Sequence, residues 1–245
     1  MHGPSHLILS WFAAEAAGID SPRERRMVAL SGFAPDLDVL AYLGGIVYFG
    51  FDKDLTYEQV WQVVHHRYTH GLGFVLLTGL LIFILAAGKP ASGEKDLQRA
   101  LKIAVWSMLA SIIHVFSDLV AGGAEWPVYP LWPLSDFAWS MRGSWALGDW
   151  PNTLILLACL AGSMLYAKVA GYSPLESLHY RLDRAFVTII QKGALDTPGD
   201  EQDVDLSNPP KNHSLRIRLT VYGLLILMII AVLLPLGFEI DLATF

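Results

Sequence analysis

The sequence predicts an all-α, polytopic helical membrane protein with about four full spans and short partial helices at the N-terminus. Three observations predict it. Only 16% of the 245 residues are charged, against about 25% in ordinary soluble domains, while 53% are hydrophobic and the mean hydropathy is +0.43. Four segments are apolar over roughly the 20 residues that a helix needs to cross a bilayer. Lysine and arginine are also segregated into alternate loops, the signature of a fixed orientation in a membrane.

The elements follow in order. Residues 6–18 and 27–34 are apolar but too short to span alone, so they are expected as partial or re-entrant helices inside a bundle, where broken helices are tolerated. Residues 39–51 add an apolar piece rich in glycine and aromatics. The predicted spans are residues 71–88 (GLGFVLLTGLLIFILAAG), 102–122 (KIAVWSMLASIIHVFSDLVAG), 153–170 (TLILLACLAGSMLYAKVA) and 219–237 (LTVYGLLILMIIAVLLPLG). In residues 173–192, Leu175, Leu178, Leu182, Phe186 and Ile189 recur at helical spacing opposite a charged face. This pattern predicts an amphipathic helix on the membrane surface. The acidic, proline-containing stretch DTPGDEQDVDLSNPPKNH is expected to be a disordered linker. His179 and His213 fall in this section as solvated surface residues. The chain thus divides into a membrane-embedded bundle (1–170), an amphipathic helix with its linker (171–215) and a C-terminal transmembrane helix (216–245).

Composition also excludes. A net charge of −6 argues against nucleic acid, because phosphate binding needs a basic face. The single cysteine, Cys159, rules out a disulfide framework and a multi-cysteine zinc site, and reads as a small buried hydrophobe. The first residues, MHGPSH, lack the basic region of a secretory signal peptide.

Orientation follows from the basic residues. Arg23, Arg25 and Arg26, then Lys89, Lys95, Arg99 and Lys102, then Lys168, Arg181, Arg184, Lys192, Lys211, Arg216 and Arg218 make 14 of the 17, and the three groups alternate correctly. Those regions are expected on the cytoplasmic side of a plasma (inner) membrane. Residues 65–70 (HHRYTH) and the tryptophan- and proline-rich stretch 122–151 then face the other side. The aromatics of that stretch suit either a headgroup belt or a lid over a site.

Ionisable side chains at membrane depth default to functional suspicion. Four groups stand out: His6 in SHLILS, Asp36 and Asp38 in APDLDVL, His65, His66 and His70 in HHRYTH, and His114 and Asp118 in HVFSD. His66 and His70, like His114 and Asp118, are four residues apart, so on a helix each pair shares a face and can grip one ion. By orientation all four groups reach the same extracytoplasmic end. Histidine with carboxylate and no cysteine suits Zn²⁺, with Mn²⁺ or Fe²⁺ as alternatives. The ligand supply allows one or two ions, and paired ions suit phosphoester hydrolysis, generating hydroxide and clamping developing charge.

The ordered pieces SHLILS, APDLDVL, HHRYTHGL and IIHVFSDLVAGGAEWPVYPLWP, from His6 to about Leu134, resemble the LexA-regulated, membrane-bound metal-dependent hydrolases, the YdjM-like family. That family is similar in turn to zinc-dependent phospholipases C and zinc nucleases. The resemblance implies metal ligands at His6, one or both of Asp36 and Asp38, His65 or His66, His70, His114 and Asp118, with Asp118 as the bridging carboxylate. Only Tyr68 separates HR from TH here, where two residues are usual, so His65 and His66 compete for one ligand position. Gly71 replaces the usual serine.

The expected activity is metal-dependent hydrolysis of a phosphoester in a membrane lipid or lipid-linked substrate. Arg67 is the candidate for neutralising a phosphate oxygen, and Asp38 for orienting a ligand or acting as general base. The alternative is a metal-ion or proton-coupled transporter using the same cluster. A third option is a scaffold whose polar groups only bind helices together. The oligomeric state is not readable from the sequence.

Overall fold

The computed structural model describes residues 1–88, 97–192 and 239–241. Its helices are α1 (Gly3–Ala16), α2 (Pro22–Phe33), α3 (Val39–Tyr48), α4 (Lys53–Thr56), α5 (Gln62–Val64), α6 (Leu72–Ala87), α7 (Leu97–Ala121), α8 (Trp150–Ala170) and α9 (Tyr180–Lys192). A 3-10 turn, Ala34–Asp38, joins α2 to α3, and a π-helical turn, Tyr57–Trp61, joins α4 to α5. The short strands Ser140–Arg142 and Glu239–Asp241 pair antiparallel.

α2 and α7 form the centre: α2 packs against α1 and α7, and α7 packs in turn on α6. The sequence of α7 explains this. Ala100, Ala104, Ser107, Ala110 and Ser111 make a buried stripe of small residues at helical spacing, which lets neighbouring backbones approach closely. On the other face Leu101, Leu109, Ile112, Ile113 and Phe116 are exposed, as lipid-facing side chains are. α6 repeats the pattern, with Val75, Gly79, Ile82 and Ala86 inward and Leu76, Leu77, Leu80 and Leu81 outward. α8 ends at Gly171, whose φ of 78° supplies the left-handed cap and whose N–H donates to the Ala167 carbonyl.

Three helices among the described residues are long and apolar enough to cross a membrane: Pro22–Tyr48, Leu97–Ala121 and Trp150–Ala170. The expectation of about four spans is therefore adjusted in two places. Residues 27–34 and 39–51, expected as separate pieces, join into one 27-residue helical run. Pro35 does not break it, because it sits at the start of the 3-10 turn, where its missing N–H costs nothing. Residues 71–88 yield only the 16-residue α6, ~24 Å long against a hydrocarbon core of about 30 Å. The chain before it leaves the helix, with His66 at φ 64° and Gly71 extended. The predicted span 219–237 and the acidic linker lie outside the described residues. The amphipathic segment is a 3-10 turn, Pro174–Ser177, followed by α9; Leu178 between them and Leu182 and Ile189 along α9 are exposed.

Gly32 sets the distance between α1, α2 and α7. A Cβ there would lie 1.8 Å from Ser10 Oγ, 2.5 Å from Ser10 Cβ and 3.3 Å from Ala110 Cβ. Gly32→Ala is expected to destabilise the protein by about 1–3 kcal/mol through overpacking, read as a lowered Tm in detergent. An unchanged Tm would mean that α1 is free to move away.

Candidate metal centre

The antiparallel order of the helices brings the four polar groups to one end of the bundle. His6 lies in the first turns of α1, Asp36 and Asp38 in the turn after α2, His65, His66 and His70 just before α6, and His114 and Asp118 in the last turns of α7. The convergence expected from orientation is present as contact.

Asp118 is the hub. Its Oδ2 lies 2.9 Å from His114 Nε2 and 3.3 Å from His70 Nε2, and its Oδ1 lies 3.1 Å from His6 Nε2. The Met1 α-amino group also pairs with Oδ1. Asp36 Oδ1 stands 3.6 Å from His114 Nε2. Asp36, His70, His114 and Asp118 each offer one ligand atom, and these atoms all lie within 4.8 Å of one another.

The donor set fits a cation. His114 Nδ1 lies 2.7 Å from the Gly32 carbonyl; donating there leaves a lone pair on Nε2. That lone pair faces the Nε2 of His70 at 3.2 Å and two carboxylates. Four-coordinate ions with bonds near 2.0–2.1 Å hold ligand atoms about 3.3 Å apart; the separations among His70, His114 and Asp118 are 2.9–3.3 Å, and the whole group with Asp36 lies within 4.8 Å. Four nitrogen and oxygen donors with no thiolate suit zinc, manganese or iron.

The remaining residues surround this group. Asp38 is buried, and its Oδ2 lies 2.8 Å from His65 Nδ1, accepts from Thr69 Oγ1 at 3.1 Å and stands 3.7 Å from His70 Nδ1. A carboxylate behind a ligating imidazole fixes its tautomer and direction. Asp38 Oδ1 is buried and has no hydrogen-bond partner among the described residues. His65 stacks on Trp61 at 4.0 Å and on His66 at 3.9 Å. His66 is buried, with Nδ1 3.3 Å from the Trp126 carbonyl. Neither His65 nor His66 belongs to the four-ligand group. Burial pushes His66 well below the ordinary histidine pKa and His70 down to about 4. Both imidazoles are therefore neutral at neutral pH, the state in which histidine binds metal.

The i, i+4 reasoning holds for His114 and Asp118 on α7. It does not describe His66 and His70, because 65–71 is a turn; the left-handed backbone at His66 brings the rings within 4.7 Å instead. Arg67 donates to Asp136 at 2.7 Å, with its guanidinium 5.2 Å from the Tyr129 ring centroid.

Several partners were missed in the sequence. Thr69, Ser117 and the carbonyls of Gly32 and Trp126 hold the histidines, and backbone acceptors leave no signal in a sequence. The 122–151 stretch packs on His65, His66 and the start of α6. Its Pro130 and Trp132 carbonyls accept from the N–H groups of Leu72 and Gly73, satisfying the start of α6. Buried Asn152 ties α8 to the end of α7 through the Ala121 carbonyl.

A family model described as YdjM inner membrane protein matches residues 1–189. No curated protein and no solved structure matches the chain.

Proposed function

Because the chain belongs to the YdjM inner membrane protein family, we propose that it is a membrane-bound, metal-dependent hydrolase that cleaves a phosphoester of a lipid or lipid-linked substrate. The observation that carries this reading is the group Asp36, His70, His114 and Asp118, with ligand atoms within 4.8 Å and three members fully buried. Zinc held there would supply Lewis acidity toward a phosphoryl oxygen and acidify a water molecule. The split of Asp118, with Oδ2 on His70 and His114 and Oδ1 on His6, favours a carboxylate able to bridge a second ion.

The protein's own residues divide the work. Asp38 orients His65 directly and His70 through the Thr69 hydroxyl, which favours a positioning role for it over that of general base. Arg67 reaches a phosphate oxygen by exchanging Asp136 for it. A lipid substrate is supported by a groove of about 220 Å³ between α6 and α7, lined by Val75, Ile112, Val115, Phe116 and Leu119 with His70 at one end. Phe116 and Ile112 are exposed to the lipid side, so a hydrocarbon chain has a path from bilayer to centre. The distribution of basic residues favours an extracytoplasmic position for this end of the bundle.

The test is hydrolysis of a phospholipid panel and of bis-p-nitrophenyl phosphate by the purified protein in detergent. Turnover is expected with zinc, lost in EDTA and restored by added zinc. Zinc-loaded protein that cleaves no phosphoester overturns the reading. Gradient-driven metal uptake into vesicles by that same protein would favour transport.

A further inference from the structure

A second pocket, which shares no lining residue with the lipid-facing groove, opens beside His65 and His66. It has a volume of about 240 Å³ and is lined by Tyr57, Trp61, Gln62, Glu125, Trp126 and Tyr129 together with the two histidines. We propose that it binds the cationic amine of a substrate headgroup, the ammonium lying against the aromatic rings and beside the Glu125 carboxylate. This rests on the phosphoester reading for its place in a reaction, while the binding itself is measured without turnover.

The lining chooses the ligand. Trp126 meets Tyr57 at 6.0 Å and 52°, and Trp61 at 6.3 Å and 63°. Electron-rich rings set at steep angles around one cavity suit a cation, whose attraction to a ring face strengthens once water is excluded. Among the described residues no lysine or arginine lines the pocket, and Glu125 brings a negative charge to it. Arg67, whose guanidinium lies 5.2 Å from the Tyr129 ring centroid, donates to Asp136.

Size and position agree. A drug-sized ligand needs roughly 300–1,000 Å³, so this pocket suits a headgroup and not a whole lipid. His65 and His66 form its wall, and the His66 ring lies 4.7 Å from that of His70 in the candidate metal group. An amine seated here has its attached phosphate directed toward the centre. The backbone is committed to this arrangement. His66 sits at φ 64°, a region uncommon for a residue other than glycine, and such strain clusters at ligand sites.

The experiment uses the full chain, stripped of metal with EDTA, in a polyoxyethylene detergent that carries neither amine nor sugar. Calorimetric titration with choline chloride is expected to saturate, and to weaken roughly tenfold in Trp126→Leu. Glu125→Gln is expected to weaken it as well. Both variants should take up zinc as the wild type does, which shows that they are folded. No saturation with choline, or equal binding by Trp126→Leu, overturns the proposal; so does saturation by methyl glucoside alone. The outcomes separate the two readings. Choline binding without any phosphoester cleavage leaves the subsite standing and removes the hydrolase. Zinc-dependent cleavage indifferent to headgroup charge, with no choline binding, does the reverse.

Discussion

Asp118→Asn is expected to abolish metal binding while leaving a folded protein. Zinc measured on the purified variant should fall from near-stoichiometric to less than about a tenth of that, and phosphoester turnover by at least roughly a thousandfold. The size of the effect follows from the place of Asp118. One carboxylate serves His114 and His70 with Oδ2 and His6 with Oδ1, and it is itself buried. Asparagine keeps the volume but replaces an anionic ligand by a neutral amide, and zinc sites are built from imidazole, thiolate and carboxylate. The new NH₂ group can donate to the imidazole nitrogens, so the helices need not separate. A purely structural cluster gives a different result. In that case the wild type holds no metal, and Asp118→Asn changes only the Tm.

Some of this architecture was legible in the sequence, and the physical reasons for success and failure differ by residue. His114 and Asp118 lie inside one uninterrupted apolar helix, where periodicity alone fixes their relative position. The meeting of Asp36, His70, His114 and Asp118 was legible because alternating basic loops constrain which helix ends share a face. Division of labour within APDLDVL was not. Asp36 joins the ligand group while Asp38 lies behind His70, and that depends on the pitch of a 3-10 turn. HHRYTH misled because its spacing suits a helix, whereas His66 takes a left-handed backbone that no local pattern announces. Residues 27–34 and 39–51 were expected apart, yet Pro35 opens a turn and leaves the helical run intact. Glu15 was legible but passed over. It is an acid in the apolar run HLILSWFAAEAAG, where an ionisable residue needs a partner; its partner Arg25 is ten residues on, but Glu176, Tyr166 and Tyr172 are more than 150 residues away.

Those residues form a second polar cluster, and the other large expected effect concerns it. Arg25→Ala should destabilise the protein by roughly 3–5 kcal/mol, the cost of removing one partner from a buried ion pair. Arg25 donates to both carboxylate oxygens of Glu176, from Nε at 2.6 Å and from Nη2 at 2.9 Å, and Trp11 Nε1 donates to Oε1 at 2.7 Å. Its Nη1 donates to the Asp20 carbonyl at 2.7 Å and lies 3.5 Å from Glu15 Oε2. Glu15 Oε1 accepts from Tyr166 at 2.6 Å and from Tyr172 at 2.7 Å. One guanidinium thus joins α1, α2, the turn Pro174–Ser177 and the end of α8. Without it two buried carboxylates, Glu15 at 1% exposure and Glu176 at 6%, face each other unneutralised. Arg25→Lys keeps the charge but not the planar fork and should fall between wild type and Arg25→Ala. Arg25→Met combined with Glu176→Gln should recover part of the loss, because most of the cost lies in the stranded charge and little in the pair itself. Thermal unfolding in detergent reads all three variants. Zinc content of the folded fraction separates this cluster from the metal centre, since Glu15 and His6 are about 14 Å apart along α1. Arg25→Ala as stable as wild type would show that the cluster does not depend on this guanidinium, and a loss of zinc at unchanged Tm would show that the two ends of the bundle are coupled.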